Sequence, residues 1–240
     1  MKKDFIHRIV NVKTGKKYDV YCGRANKTHN LEKSKWANPY VIGKDGDREL
    51  VITKYNLYLN SQPELLRNIG ELKGKVLGCW CDYPKENCHC VNLLERAESK
   101  WIKNWFSNML PFESPMIYNG LKFNSVENFY QAMKMPKGSA AREEISKMSP
   151  FEAKKNIRDM ARFPWRGDWT KDLGLKVMEH ALNHKFKKGT YWRVLLDLSG
   201  ELGLELVEWN NWGDKFWGKD LNSGEGENHL GKILMKIRST

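Results

Sequence analysis

Apolar positions come in short runs through the first hundred residues and at helical spacing through much of the rest. Residues 6–12 and 18–22 read as strands joined by the turn-like segment 13–16. Residues 26–38 are polar and read as loop, leading into Trp36-Ala-Asn-Pro-Tyr40. From Asp47 a helical period runs through Leu50, Tyr55, Tyr58 and Leu59, and Pro63 starts a second helix with Leu65, Leu66 and Ile69. The apolar run 75–81 has the length and flanks of a buried strand. Residues 91–105 place Leu93, Leu94, Ala97, Trp101 and Ile102 on one side of a bridging helix.

Beyond this the pattern is mainly helical. The segment 106–111 opens a new unit, and Tyr118-Asn-Gly-Leu121 reads as a turn. In Asn124-Ser-Val-Glu-Asn-Phe-Tyr-Gln-Ala-Met-Lys134, Val126, Phe129, Tyr130 and Met133 form an apolar stripe. Glu127 and Lys134, about two turns apart, project nearly in register beside that stripe. With Asn124 as N-cap, Glu127 falls at the third helical position, so a capping acid and a catalytic acid are both open on spacing alone. Ser149-Pro-Phe-Glu152 combines a cap, a first-position Pro and a third-position acid, predicting a helix to about Met160. Thr170 caps a helix with Leu173, Val177, Met178, Ala181 and Leu182. His180 and His184 lie four apart on it but lack the adjoining Glu of a zinc hydrolase, and read as surface histidines. Residues 191–198, stopped by Gly200, and residues 230–237 are helical.

Charge adds a partner class. The 240 residues carry a formal net charge of +12, with 18 basic and 12 acidic side chains before residue 100 and 23 and 17 from there on. Each part therefore carries the same positive excess, and a polyanion such as nucleic acid is the favoured partner. No apolar h-region follows Met1-Lys-Lys and no apolar run reaches membrane-span length, so a cytoplasmic protein without a membrane partner is expected. Ten Trp and 40% hydrophobic residues exclude a disordered chain.

Four of the five Cys lie between positions 79 and 90. Cys79-Trp-Cys81 and Cys88-His-Cys90 offer four thiols and an imidazole, the donor types of a structural zinc site. Cys79, Cys81, Cys88 and Cys90 are the candidate ligands, with His89 as an alternative to one of them; thiols packed at a strand end are the competing reading. Two loops mix functional types. Residues 158–169 interleave Arg158, Arg162 and Arg166 with Trp165 and Trp169, and residues 209–218 set Asp214 among aromatics, which suits phosphate contact beside ring stacking.

Two resemblances follow from these motifs. Trp36-Ala-Asn-Pro-Tyr, Gly78-Cys-Trp-Cys and Cys88-His89 resemble a small family of unassigned function found in bacteria and phages, over roughly residues 6–98; that family has Gly where this chain has Cys90. Phe106-Ser-Asn108, Ser125-Val-Glu127 through Lys134, Trp169, Asp214-Lys-Phe-Trp-Gly218 and Gly226-Glu-Asn228-His-Leu-Gly231 through Met235 are similar to the NADAR family of N-glycosidases, over about residues 103–238. The implied fold is α+β overall, a small α/β domain at 1–98 followed by a mainly α-helical NADAR-like domain at 99–240.

The NADAR resemblance implies cleavage of N-glycosidic bonds with no cofactor for the glycosidase. Glu127, Lys134, Trp169 and Asp214 are then the expected catalytic residues, with Asn108, Trp217, Gly218, Asn228 and Gly231 shaping the pocket and Arg166 contacting phosphate. The leading expectation is removal of ADP-ribose from guanine in nucleic acid, DNA first, which reverses ADP-ribosylation as an antitoxin or counter-defence would and yields ADP-ribose. The alternatives are a glycosidase for phosphoribosylated intermediates of riboflavin biosynthesis and a non-catalytic, zinc-dependent module binding nucleic acid or ADP-ribose. Retention of Glu127 and Lys134 argues against the last.

Overall fold

The computed structural model describes residues 5–99 and 106–240. The chain divides into two compact units: Met1–Asn104 with Glu201–Asn228, and Trp105–Gly200 with His229–Thr240. The predicted positions Trp101 and Ile102 lie outside the described residues.

In the first unit, β1 (Ile9–Asn11), β2 (Val20–Tyr21) and β3 (Leu77–Cys79) form a parallel sheet in the order β1-β3-β2. The turn after β1 therefore does not close a hairpin. The late-arriving β3 inserts between the two early strands, pairing Ile9 and Val20 with Leu77 from either side. Such a pairing depends on contacts 68 residues from Ile9 and 57 from Val20, which a local pattern does not encode. Helix α1 (Arg48–Asn60) starts at Asp47, whose carboxylate accepts from the Leu50 amide at 2.8 Å, and α2 (Pro63–Asn68) begins with its Pro. Helix α3 (His89–Ala97) starts straight after Cys88. The core between sheet and helices holds Ile9, Trp36, Tyr55, Leu59, Leu72, Leu77, Leu93 and Leu94. The Trp36-to-Tyr40 motif serves this core: Trp36 is 1% exposed, its indole donates to Glu71 at 2.9 Å, and the Asn38 amide donates to the Val51 carbonyl at 3.1 Å.

The second unit opens with a hairpin that the helical pattern did not anticipate. Strand β4 (Pro111–Tyr118) turns through Asn119 and Gly120, both at positive φ, into β5 (Leu121–Ser125). Two successive left-handed residues give the turn that matches strand twist, for which Asn-Gly is suited. Strand β5 runs directly into α4 (Val126–Met133), the central helix, which packs against α5 (Ala140–Lys147), α6 (Pro150–Asn156) and α7 (Lys171–Lys185). Ser125, not Asn124, is the N-cap, accepting from the Asn128 amide at 3.1 Å. Helix α6 carries the expected capping box of Ser149 and Glu152 but ends at Asn156, short of Met160. Thr170 caps α7 as expected. Helix α8 (Tyr191–Glu201) passes through Gly200 and stops before Gly203, whose φ is 64°. Helix α9 (His229–Arg238) covers the predicted stretch and packs on α7. The short strands β6 (Trp209–Asn210) and β7 (Lys219–Asp220) pair in parallel within the segment that joins the first unit.

Candidate functional site

Helix α4 is buried on nearly every side, and this brings its polar residues into the interior. Glu127 is 5% exposed and Lys134, at the helix end, 9%. The shift of the cap to Ser125 moves Glu127 off the capping position. Its carboxylate instead accepts from Gln131 Nε2 at 2.8 Å, one turn along, while its backbone amide donates to the Asn108 carbonyl at 3.1 Å. The Glu127 side chain is thus held by a neighbour rather than spent on the helix end.

Lys134 is enclosed by aromatic faces. Its Nζ lies 4.9 Å from the Tyr130 ring centroid and 4.5 Å from that of Trp165. Burial lowers its pKa to about 8, with Glu127 pulling the other way and the Lys154 charge adding to the depression. The amine is therefore deprotonated far more readily than an ordinary lysine. The loop 158–169 is fastened to it: the Arg166 amide donates to the Lys134 carbonyl at 2.7 Å, and the Trp169 amide to the Arg166 carbonyl at 3.2 Å. Trp169 meets Tyr130 edge to face at 5.6 Å and Trp165 at 6.5 Å. Gly174 of α7 faces this pair, where a Cβ would stand 3.2 Å from the Tyr130 hydroxyl and 3.5 Å from the Trp169 ring. The Arg166 guanidinium grips Asp168 through two bonds of 2.5 and 2.6 Å.

The second unit thus brings together Glu127, Lys134, Arg166 and Trp169, with Asn108 holding the backbone of Glu127. Gly231 is buried in α9. Asp214, Trp217, Gly218 and Asn228 belong instead to the first unit, where they build a loop. Asp214 accepts from the amides of Phe216 and Trp217 at 3.0 and 2.9 Å, and Asn210 brackets Asp214 from both its backbone groups. Asn228, at a φ of 54°, bonds Glu208 and Leu206. Gly218 has no room for a side chain, since a Cβ would fall 2.0 Å from the Glu208 carbonyl oxygen. Trp165, marked with its loop as a ring-stacking candidate, lies against Lys134 as does Tyr130 of the apolar stripe; Gln131 is the neighbour of Glu127 that the motifs did not single out, and the i, i+4 spacing of the two was the available signal. His180 is exposed on the helix surface as expected, and His184 is half-buried. His180 lies against Tyr118 and Phe129, and His184 sits edge-on to Phe112 with Nε2 3.0 Å from the Ser114 carbonyl.

A second cluster lies in the first unit. One ligand atom each from Cys79, Cys88, His89 and Cys90 falls within 4.8 Å of the others, and all four residues are buried. His89 Nε2 is 2.9 Å from the Cys22 carbonyl and donates to it, so in the neutral ring Nδ1, 3.9 Å from Cys79 Sγ, is the atom that carries the lone pair. This orientation by a backbone carbonyl is how metal-binding imidazoles are usually held. Cys81 is half-buried beside the group, its Sγ 3.7 Å from that of Cys79, and His89 completes the foursome. Hydrogen bonds from the Cys81, Cys88 and Cys90 thiols push the Cys79 thiol down toward thiolate. The cluster could bind a metal ion.

A family described as NADAR domain matches residues 95–240. The chain belongs to the NADAR family. Ahead of it, a domain of unknown function, DUF4326, matches residues 9–99. Within the NADAR relatives, the N-glycosidase YbiA of Escherichia coli strain K12 is 34% identical over 134 residues, which is 55% of this chain and 78% of that protein. The NMR structure of E. coli YbiA, at 32% identity, matches 56% of this chain and 75% of its own with a TM-score of 0.47. The chloroplastic riboflavin biosynthesis protein PYRR of Zea mays is 36% identical over 168 residues, 65% of this chain and 26% of PYRR. An uncharacterized protein, R718, of Acanthamoeba polyphaga mimivirus is 47% identical over 68 residues, 28% of this chain. That match spans about half, 52%, of the mimivirus protein. Among the described residues, no helix is long and apolar enough to cross a membrane.

Proposed function

We propose that this NADAR protein is an N-glycosidase that hydrolyses the bond between ribose and base in ADP-ribosylated guanine of nucleic acid, releasing ADP-ribose. The observation that carries the reading is the buried pair on α4, a carboxylate at Glu127 and an amine at Lys134 with its pKa lowered to about 8. Breaking the bond from the anomeric carbon to nitrogen builds positive charge on that carbon, which a desolvated carboxylate stabilises. Protonation of the ring oxygen opens the ribose to an imine between the anomeric carbon and the guanine nitrogen, and the neutral Lys134 amine adds to that carbon. A carbon–nitrogen bond forms to lysine as the bond to guanine breaks, and Glu127 relays the proton to the departing nitrogen. Water then hydrolyses the imine, which restores the amine and frees ADP-ribose. Trp165 and Trp169 offer ring faces to the base, and Arg166 exchanges Asp168 for phosphate.

Nucleic acid is favoured over a free metabolite because the positive excess is shared by both halves of the chain and because a second domain is attached. The other reading, a glycosidase of phosphoribosylated riboflavin intermediates, is supported by the similarity to PYRR. Incubation with an oligonucleotide carrying ADP-ribosyl-guanine and, separately, with riboflavin intermediates decides between them. Release of ADP-ribose from the oligonucleotide, lost in Glu127→Ala, is expected; turnover confined to the riboflavin intermediates sinks the leading reading. Borohydride added during turnover should trap the sugar on Lys134.

The cluster in the first unit is best read as a structural zinc site. Three thiolates and one imidazole match zinc's preferred structural donors, and their burial suits a closed site. Zinc there ties the end of β3 to the start of α3. Protein purified under reducing conditions should contain one zinc per chain, and sub-stoichiometric zinc counts against the assignment.

A further inference from the structure

The first unit contains a cleft of about 180 Å³ that the glycosidase chemistry leaves unused. It opens where the sheet's strands end: Cys22 and Gly23 follow β2, and Trp80 and Cys81 follow β3. The carboxyl edge of a parallel sheet is the place where such folds take up ligands. The starts of α1 and α3 also reach it, through Arg48 and through Asn87 and His89, so two positive helix ends converge there.

Its charges are one-sided. Arg24 and Arg48 line the cleft, and no carboxylate does so among the described residues. Arg48 is held at the rim by Glu86 at 3.1 Å and by the Asn87 carbonyl at 3.4 Å, and Arg24 donates to the Tyr40 carbonyl at 3.4 Å. The Glu86 carboxylate, 41% exposed, is replaceable by a ligand anion. A flat surface stands beside the guanidiniums. Trp80 is among the lining residues, and its indole is fixed by its donation to the Tyr21 hydroxyl at 2.6 Å and by the edge contact with His29 at 4.9 Å. A ring held in this way stacks at little entropic cost.

We propose that this cleft is a separate binding site for a mononucleotide, with the phosphate between Arg24 and Arg48 and the base on Trp80. Cys79 and His89 of the Cys/His cluster form the adjoining wall of the cleft.

Calorimetric titration of AMP into the full chain carrying Lys134→Ala tests the site away from the glycosidase centre. AMP is expected to bind with one-to-one stoichiometry. Arg24→Ala, a change at an exposed position, and Arg48→Ala should each weaken binding about tenfold or more, whereas Glu86→Gln should leave it equal or tighter. Absence of AMP binding overturns the proposal, as does an affinity indifferent to both arginine changes in folded protein. An inactive wild-type glycosidase that still binds AMP through Arg24 and Arg48 would sink the proposed reaction and leave this site standing.

Discussion

Lys134 is where stability and chemistry pull in opposite directions. Its amine loses water on folding and regains only aromatic faces and a nearby carboxylate, and the pKa falls from its ordinary 10.5 to about 8. The unfolded chain therefore binds the proton more tightly between these values, and folding stability rises as pH climbs from about 8 towards 10.5. Below pH 8 the full penalty applies. Lys134→Met should raise stability at pH 7 by roughly 1–3 kcal/mol, with the gain shrinking as pH rises from about 8 towards 10.5 and turnover abolished. Denaturant unfolding at several pH values measures this; a variant less stable than wild type at pH 7 contradicts the desolvated amine. If the neutral amine is the nucleophile, kcat/KM should rise with pH through about 8 and then level off. A rate that falls over the same interval assigns the lysine a cationic, phosphate-binding role instead.

At the scale of elements, α4 keeps its register through Ser125. That hydroxyl accepts from the Asn128 amide and donates to the Asn128 side chain at 2.7 Å, while Asn128 reaches the Met148 carbonyl at 2.6 Å. Ser125→Ala should cost about 1–2 kcal/mol and lower kcat more than it raises KM, because the helix that carries both reactive groups loosens; unchanged thermal unfolding would contradict this. Helices with a local signal were legible in the sequence: Asp47, Ser149 and Thr170 cap their helices because a side chain and an amide three positions on are all that is needed. The single-residue shift from Asn124 to Ser125 was not, since both residues cap well and packing of the preceding strand decides. Strand β4 was hidden by Pro111, Pro115 and a broken alternation of buried positions. Helix α5 was hidden by charge, with Ile145 its one fully buried apolar residue. The β1-β3-β2 order arises from distant pairing, and the pattern of neighbours carries no record of it, whereas the Cys79–His89 cluster was legible in its close spacing and only the choice of His89 over Cys81 was not.

At the scale of the molecule, the proposed glycosidase pair and the Cys/His cluster fall in different units. Removing zinc by a chelator, or Cys88→Ser, should lower the unfolding temperature of the first unit by several degrees or unfold it, with near-neutral recovery on adding zinc back to wild type. An unfolding profile indifferent to chelation contradicts the metal centre. The family motifs were legible in order along the chain, but the assignment of Asp214, Gly218 and Asn228 to a loop of the first unit was not, because a motif lists residues without saying what their atoms already bond. The central claim is that Glu127 and Lys134 cleave ADP-ribose from guanine. Its most direct test is product release from an oligonucleotide bearing ADP-ribosyl-guanine, with wild-type protein and Glu127→Ala side by side. Release by wild type with a loss of at least a hundredfold in the variant is the outcome predicted for a removed proton-transfer group; no release by wild type, or equal release by both, contradicts the account.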